Sequence, residues 1–304
     1  MTPAGAAPAL SPRRVLATVL LPFALAHFVS YLYRSVNAVV YPDLVRDVGL
    51  TPGTLGLLTG AYFIAFAAAQ LPVGMALDRF GPRKVQVPML MVAALGGLLF
   101  ARAESLAGLL WARALIGLGV SASLMSAIKA SALWLPAERL PLVTSLLLSV
   151  GGLGAVAATA PLQWTLDWVG WRGAFVGMGL GTLAVCGLIF GRVPEHPTHQ
   201  QVSLPELLAS IGQLYRTPLF WRLALCTLVS NATFMAVQGL WLGPWLRDVA
   251  QLPRAEVAQV LLAGSVAMVA GSLSFGWLAD TLRRWHVQPL LVCGLGMGVF
   301  LLCQ

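Results

Sequence analysis

Three cations stand where a cation is costly. Arg34, Arg113 and Lys129 lie inside long apolar runs, and no Asp or Glu is placed at comparable depth. A charge in a hydrocarbon setting faces a cavity or a partner rather than lipid. A guanidinium with no carboxylate nearby favours an anion from outside, because its planar fork matches carboxylate or phosphate. His27 stands seven residues before Arg34 and Tyr31 three before, so all three share a helical face, which Asn37 and Tyr41 continue. A stripe of that chemistry lines a polar cavity. Arg34 also sits about six residues, roughly 9 Å, past the middle of its run, so snorkelling to outer headgroups is a competing reading. His27 either carries a proton, since imidazole titrates near neutrality, or stays a neutral hydrogen-bonded group.

Lys129 follows Arg113 by 16 residues, or roughly 160° of turn, so a straight helix cannot aim both at one cavity. Lys129 has either a direct role with a solute or a stem that snorkels to the cytoplasmic interface. Gln70, Asn231 and Gln238 are candidates for neutral solute contacts, or for hydrogen bonds between helices. Asn231 and Gln238 are seven apart, which gives the second half of the chain an uncharged polar face.

The elements that hold these residues follow from composition. Of 304 residues, 58% are hydrophobic and 10% charged, and the mean hydropathy is +0.82. Soluble domains are nearer ~25% charged, so a soluble globular protein is excluded. The net charge of +8 forms no basic run or patch, so no nucleic-acid partner is expected. A spanning helix needs ~20 apolar residues, and the chain supplies nine: 15–41, 52–77, 85–102, 105–134, 141–165, 172–191, 219–243, 255–279 and 287–304. Between the sixth and seventh, residues 192–218 form a polar, Pro-punctuated linker with a short helix expected at 204–215. Arg13, Arg14 and Ala24-Leu25-Ala26 imitate a cleavable leader, but the apolar run continues beyond them, which favours an uncleaved first span.

With the N-terminus in the cytoplasm, eleven Lys and Arg fall in inner segments against five in outer loops, as the positive-inside rule requires. The +8 resolves into about +6 inside, −1 outside and +3 within the spans. All ten tryptophans fall near span ends or in short loops, where an interfacial belt belongs. The four cysteines sit in apolar runs, so no disulfide framework, metal site or cofactor is expected.

The first two spans recur later in the chain. Pro42, Leu50, Gly74 and Asp78 match Pro244, Leu252, Gly276 and Asp280 at a spacing of 202 residues. Six spans fill one period, so the unit is a six-helix half: 1–191, the linker 192–218, then 219–304 with three spans. Two full copies would hold twelve spans, and nine are present. The expected fold is an all-α polytopic membrane protein built from two such halves, the second incomplete.

The loop Gly74-Met-Ala-Leu-Asp78-Arg79-Phe-Gly81-Pro-Arg83-Lys84 and its echo Gly276-Trp-Leu-Ala-Asp280-Thr-Leu-Arg283-Arg284 resemble the signature loop of the major facilitator superfamily. Arg113-Ala-Leu-Ile-Gly117-Leu-Gly119 and Gly170-Trp171-Arg172 are similar to further patterns of that family. The resemblance implies parallel six-helix halves with a solute site between them near the midplane. It also implies a conformational switch at Gly74, Asp78, Arg79, Gly81 and Arg83, echoed by Asp280 and Arg283. Arg79, Arg83 and Lys84 would then meet anionic headgroups or acidic residues of the facing half, and Asp78 would pair with a cation or a helix N-terminus. The alternative is that these charges only anchor the loop. Arg113 takes a structural or proton-relay role beside that switch by the same resemblance, with helix packing through Gly117 and Gly119 an equal alternative.

The first span resembles that of the organic-anion branches, in which an Arg eight residues before a Pro binds the anion; Arg34 stands eight before Pro42. Asn37 falls three residues after the Arg, one later than in those branches. The equivalent of Arg34 in the second half is Ala236, so a singly charged carboxylate fits better than a phosphate ester. These readings describe a secondary transporter of a small organic anion, expected to work as a monomer in a bacterial-type cytoplasmic membrane, with a coupling ion as a further partner. The absence of a buried carboxylate weighs against proton coupling through these spans. A membrane-embedded enzyme lacks paired carboxylates, a metal cluster and a nucleophile with its base. The remaining alternatives are a non-transporting sensor of the same ancestry and an exporter of neutral or cationic compounds.

Overall fold

The computed structural model describes residues 12–195, 209, 212–237 and 242–283. Every element in it is helical, as a chain that must satisfy its backbone inside a bilayer requires. The first span opens with α1 (Pro12–Val15) and a π-helical turn (Leu16–Leu20), then continues as α2 (Leu21–Ser35) and α3 (Asn37–Val48). α4 (Pro52–Phe80), α5 (Pro82–Arg102), α6 (Leu106–Val120) and α7 (Ser123–Trp134) follow. After a 3-10 turn come α8 (Leu140–Ala157) and α9 (Ala160–Arg192). The second half contributes α10 (Pro218–Ala236), α11 (Leu242–Asp248) and α12 (Arg254–Arg283).

Among the described residues six helices are long and apolar enough to cross a membrane, all within the first 192 residues. The seventh and eighth expected spans are helical as α10 and α12. The ninth, 287–304, lies outside the described residues, as does most of the helix expected at 204–215.

Local chemistry sets the element ends. Thr51 caps α4 through the Thr54 N–H, Thr54 returns a bond to the Thr51 N–H, and Pro52 sits in the first turn. Ser105 caps α6 by accepting from the Gly108 N–H. The fourth span breaks at Ser121-Ala122, between α6 and α7. The fifth and sixth spans run together in α9, but Gly170 has φ 66° and ψ 174°. That left-handed corner is open to glycine and separates the two spans where the apolar pattern does.

The repeat is visible in the backbone. α4 begins at residue 52 and α12 at residue 254, a shift of 202. Gly49 closes α3 with φ 70°, and Gln251, 202 residues on, has φ 56°. The two copies therefore share a left-handed residue at the same turn.

The first six spans pack as one bundle: α5 lies between α6 and α9, α4 lies on α6, and α2 on α8. α8 also packs against α12 of the second half. One core cluster gathers Tyr33, Leu44, Leu58, Phe100, Leu109 and Phe175, and another gathers Val19, Phe23, Leu90, Ala127 and Ile189. Glycines allow the closest crossings. A Cβ on Gly117 would strike the Tyr62 backbone of α4, and one on Gly154 would strike the Phe28 backbone of α2.

Candidate functional site

The stripe expected on the first span is present. The His27 ring stands edge-on to Tyr31 at 5.0 Å between centroids, and the Arg34 guanidinium lies over the Tyr31 ring at 4.6 Å. Two rings from α4 complete the enclosure: Phe66 at 5.4 Å and Phe63 at 5.9 Å from the Arg34 guanidinium carbon. The Arg34 Nε is buried without a hydrogen-bond partner. Cation–π contacts partly offset the loss of water, yet they leave the N–H fork free for an anion. Both His27 nitrogens are likewise buried without partners, with the ring set against Gly151 of α8.

Asn37 is buried at the start of α3 and donates from Nδ2 to Thr59 Oγ1 of α4 at 3.4 Å, while its Oδ1 has no donor. Gln70 donates to the carbonyls of Phe66 at 3.3 Å and Ser121 at 3.5 Å, joining α4 to the break in the fourth span. Thr59, Phe63, Phe66 and Gln70 therefore form one face of α4 opposite the Arg34 stripe. Sequence reading singled out only Gln70. The 4-3-4 spacing of these residues carried the signal, masked because Phe in an apolar run reads as lipid-facing.

Phe63 and Phe66 also line a cleft of about 950 Å³ between α4 and α10. Its far wall includes Phe220, Thr227 and Asn231. Asn231 is exposed and its Nδ2 donates to the Thr227 carbonyl, so it lines the cleft while bound within its own helix. Gln238 lies outside the described residues.

Lys129 stands away from this site. Its Nζ donates to Asp78 Oδ1, which ties α7 to the last turn of α4. Sequence reading left Asp78 without a named partner and gave Lys129 a possible contact with the solute; in the structure the two satisfy each other. The other signature-loop residues engage their own half as well. Arg83 Nη2 donates to the Phe190 carbonyl at 2.7 Å, at the C-terminal end of α9. Arg83 also approaches Glu195 at 3.8 Å, and Lys84 approaches it at 3.4 Å. Arg79 lies over the Phe80 ring at 5.3 Å. Gly74 has open space where a Cβ would stand, and Gly81 turns the chain with φ 82°. Arg83 and Lys84, expected to meet anionic headgroups or acidic residues of the facing half, contact the end of α9 and the first residues of the linker in this structure. Helix ends explain this, because the last carbonyls of α9 lack intrahelical donors and attract a cation. The side chains of Asp280 and Arg283 lie outside the described residues.

Arg113 is placed apart from the signature loop, wholly buried in the first half of the fourth span. Its Nη1 donates to the Tyr33 carbonyl at 2.9 Å, and the guanidinium lies over Phe100 and Phe175.

At the end of the bundle away from the signature loop, Trp171 Nε1 donates to Asp47 Oδ2 at 2.8 Å, and Arg46 bonds Asp47 Oδ1 at 3.0 Å. The Trp171 indole first, and Arg46 second, hold the Asp47 carboxyl below its usual range. Arg172 donates to the Ala103 carbonyl at 3.1 Å, so neighbouring residues at the Gly170 corner bind the ends of two other spans.

Among solved structures, the fucose:proton symporter of Escherichia coli superposes with a TM-score of 0.65 at 17% identity, covering 87% of this chain and 72% of that one. A bacterial homologue of the human lysosomal transporter Spinster, inward-facing and occupied, gives 0.63 at 22%, covering 89% and 61%. Both show a common fold. Among curated relatives, a probable sulfoacetate transporter of Cupriavidus necator is 26% identical over 277 residues, 86% of this chain and 64% of the relative. The hexuronate transporter of Escherichia coli is 24% identical over 280 residues, again 86% and 64%. A chloramphenicol resistance protein of Streptomyces lividans is 27% identical over 255 residues, 83% and 64%. The chain thus spans 64% of the length of these relatives. The profile of the Major Facilitator Superfamily matches residues 23–303: with six membrane-length helices in the superfamily fold, this multi-pass membrane protein belongs to that family.

Proposed function

We propose that the protein is a secondary transporter of a small organic anion, moved by alternating access between its two halves, with Arg34 as the anion contact. The carrying observation is the unpaired Arg34 guanidinium, enclosed by Tyr31, Phe63 and Phe66, of which the two phenylalanines line the cleft between α4 and α10. A cation in low dielectric with no internal carboxylate gains most from an anion that it can hold by two N–H groups. Asn37 and His27 offer further polar atoms on the same face. The two relatives named for sulfoacetate and hexuronate fit this reading. The half-exposed Asp78–Lys129 pair acts as the cytoplasmic latch of the first half, 1–191, and the linker 192–218 joins it to the second. The N-terminus faces the cytoplasm, the membrane is a bacterial cytoplasmic one, and the working unit is one chain.

Uptake by the full-length protein in proteoliposomes tests this, with sulfoacetate, glucuronate and galactarate set against fucose and chloramphenicol. The expected result is uptake of at least one acid, lost in Arg34→Ala. Uptake confined to neutral compounds and indifferent to Arg34→Ala overturns it. That outcome defines the second reading, export of neutral compounds, which the largely apolar cleft wall and the chloramphenicol resistance relative favour.

A further inference from the structure

Arg113 is 1% exposed, and no carboxylate pairs with it among the described residues. Phe100 lies 5.0 Å and Phe175 5.6 Å from its guanidinium carbon, and those two rings stack on each other at 4.1 Å. Its Nε and Nη2 are buried without acceptors. An apolar side chain of similar volume would fill such a position without the cost of desolvating a charge. The one thing that Arg113 does and an apolar group cannot is donate Nη1 to the Tyr33 carbonyl at 2.9 Å.

That carbonyl has a special place. It belongs to the residue before Arg34, at the interruption between α2 and α3. In an unbroken helix the carbonyl of residue 33 serves the N–H of residue 37. Around this interruption Val36 donates to the Leu32 carbonyl at 3.1 Å, and the Val36 carbonyl accepts from both Val39 and Val40 at 3.1 Å. The Tyr33 side chain is fixed too. It is fully buried, its hydroxyl stands 3.5 Å from Thr182 Oγ1, and it fills the space that a Cβ on Gly97 would take.

We infer that Arg113 is a positioning residue for the anion site: by holding the Tyr33 carbonyl it fixes the interruption of the first span, so that Arg34 and Asn37 are presented together to α4 and the cleft. The inference rests on the reading of Arg34 as the anion contact. Arg113 touches no solute. Phe100 and Phe175 flank its guanidinium, and the α6 backbone sets its depth.

The test is made on the full-length protein in lipid nanodiscs, with deuterium exchange of the amides of residues 34–40 read beside the KM for glucuronate uptake in proteoliposomes. Arg113→Leu keeps the volume and removes the donor; Arg113→Gln serves where the leucine variant does not fold. The expected result is exchange at 34–40 faster by about tenfold or more, with amides of 90–100 unchanged. The KM rises roughly tenfold while the maximal rate is largely kept, as misplacement of a binding group requires, and Arg113→Lys recovers part of both. Unchanged exchange at 34–40 overturns the inference. So does loss of glucuronate uptake without a change in that exchange, which marks Arg113 as a direct contact. If Arg34→Ala leaves glucuronate uptake intact, the anion reading fails, and the exchange arm still decides whether Arg113 holds the first span.

Discussion

Arg34 and Arg113 are the same side chain put to opposite uses. Each lies over aromatic rings and neither has a carboxylate among the described residues, but Arg34 packs against the phenylalanines that line the cleft while Arg113 is sealed inside the bundle. The charge of both was legible in the sequence, because a cation in an apolar run is conspicuous. Their different surroundings were not, since those depend on which neighbour faces them: Phe63 and Phe66 for one, the Tyr33 carbonyl for the other. Lys129 shows the same limit, for its distance from Arg113 around the helix excluded a shared cavity but could not name Asp78. Away from the signature loop, the indole of Trp171 holds the Asp47 carboxyl below its usual range. A depressed carboxyl contributes stability that is present above its unfolded pKa and is lost as pH falls through its folded value. Trp171→Phe is therefore expected to melt at a lower temperature than the wild type at pH 6. Thermal unfolding across an acid series should show that gap closing as the pH falls below the ordinary carboxylate range, and gone once the carboxyl is protonated in both.

Helix count and periodicity were easy to read, and breaks within helices were harder. Thr51-Pro52 and Ser105 announce helix starts by their chemistry. Gly170 ends one by its backbone, at the place where the hydrophobic pattern also pauses. The interruption at Ser121-Ala122 has no Pro or Gly to mark it, and the one after Ser35 carries no such residue either. Both follow from tertiary hydrogen bonds, through Gln70 to the Ser121 carbonyl and Arg113 to the Tyr33 carbonyl. Packing glycines separate into those that matter and those that do not. Gly117 meets the backbone of α4, whereas Gly177 has nothing within 4 Å of a built Cβ. Gly117→Ala should cost about 1–3 kcal/mol, as overpacking of a tight contact does, and Gly177→Ala should be neutral or slightly stabilising. Detergent-resistant unfolding of the two variants against the wild type measures the difference.

At the scale of the whole chain, the first half is tied at three depths. Trp171 and Arg172 join the ends of the first, third and sixth spans away from the signature loop, Arg113 joins the fourth span to the first deeper on that same side, and Arg83 with the Lys129–Asp78 pair closes the end that carries the signature loop. The 202-residue repeat, charge bias and span number were all legible because each sums many residues and tolerates local error. The ties were not, because each depends on one contact between distant segments. Orientation is the remaining global property. Glu104→Cys should react with a membrane-impermeant maleimide from outside intact cells, and Glu138→Cys only after permeabilisation; the reverse pattern would place the N-terminus outside.

Contacts at glycine are of two kinds. Inside the first half, Gly117 and Gly154 set backbone directly on backbone, a joint that cannot shift without lifting two helices apart. Between the halves, Gly152 of α8 receives the Val269 side chain of α12, whose Cγ2 would stand 2.6 Å from a built Cβ. A methyl group resting on a bare stretch of helix has no knob to climb over. The backbone joints resist shear as welds do, while the joint at Gly152 behaves as a bearing, with its friction set by the side chains of Val269 and Met268.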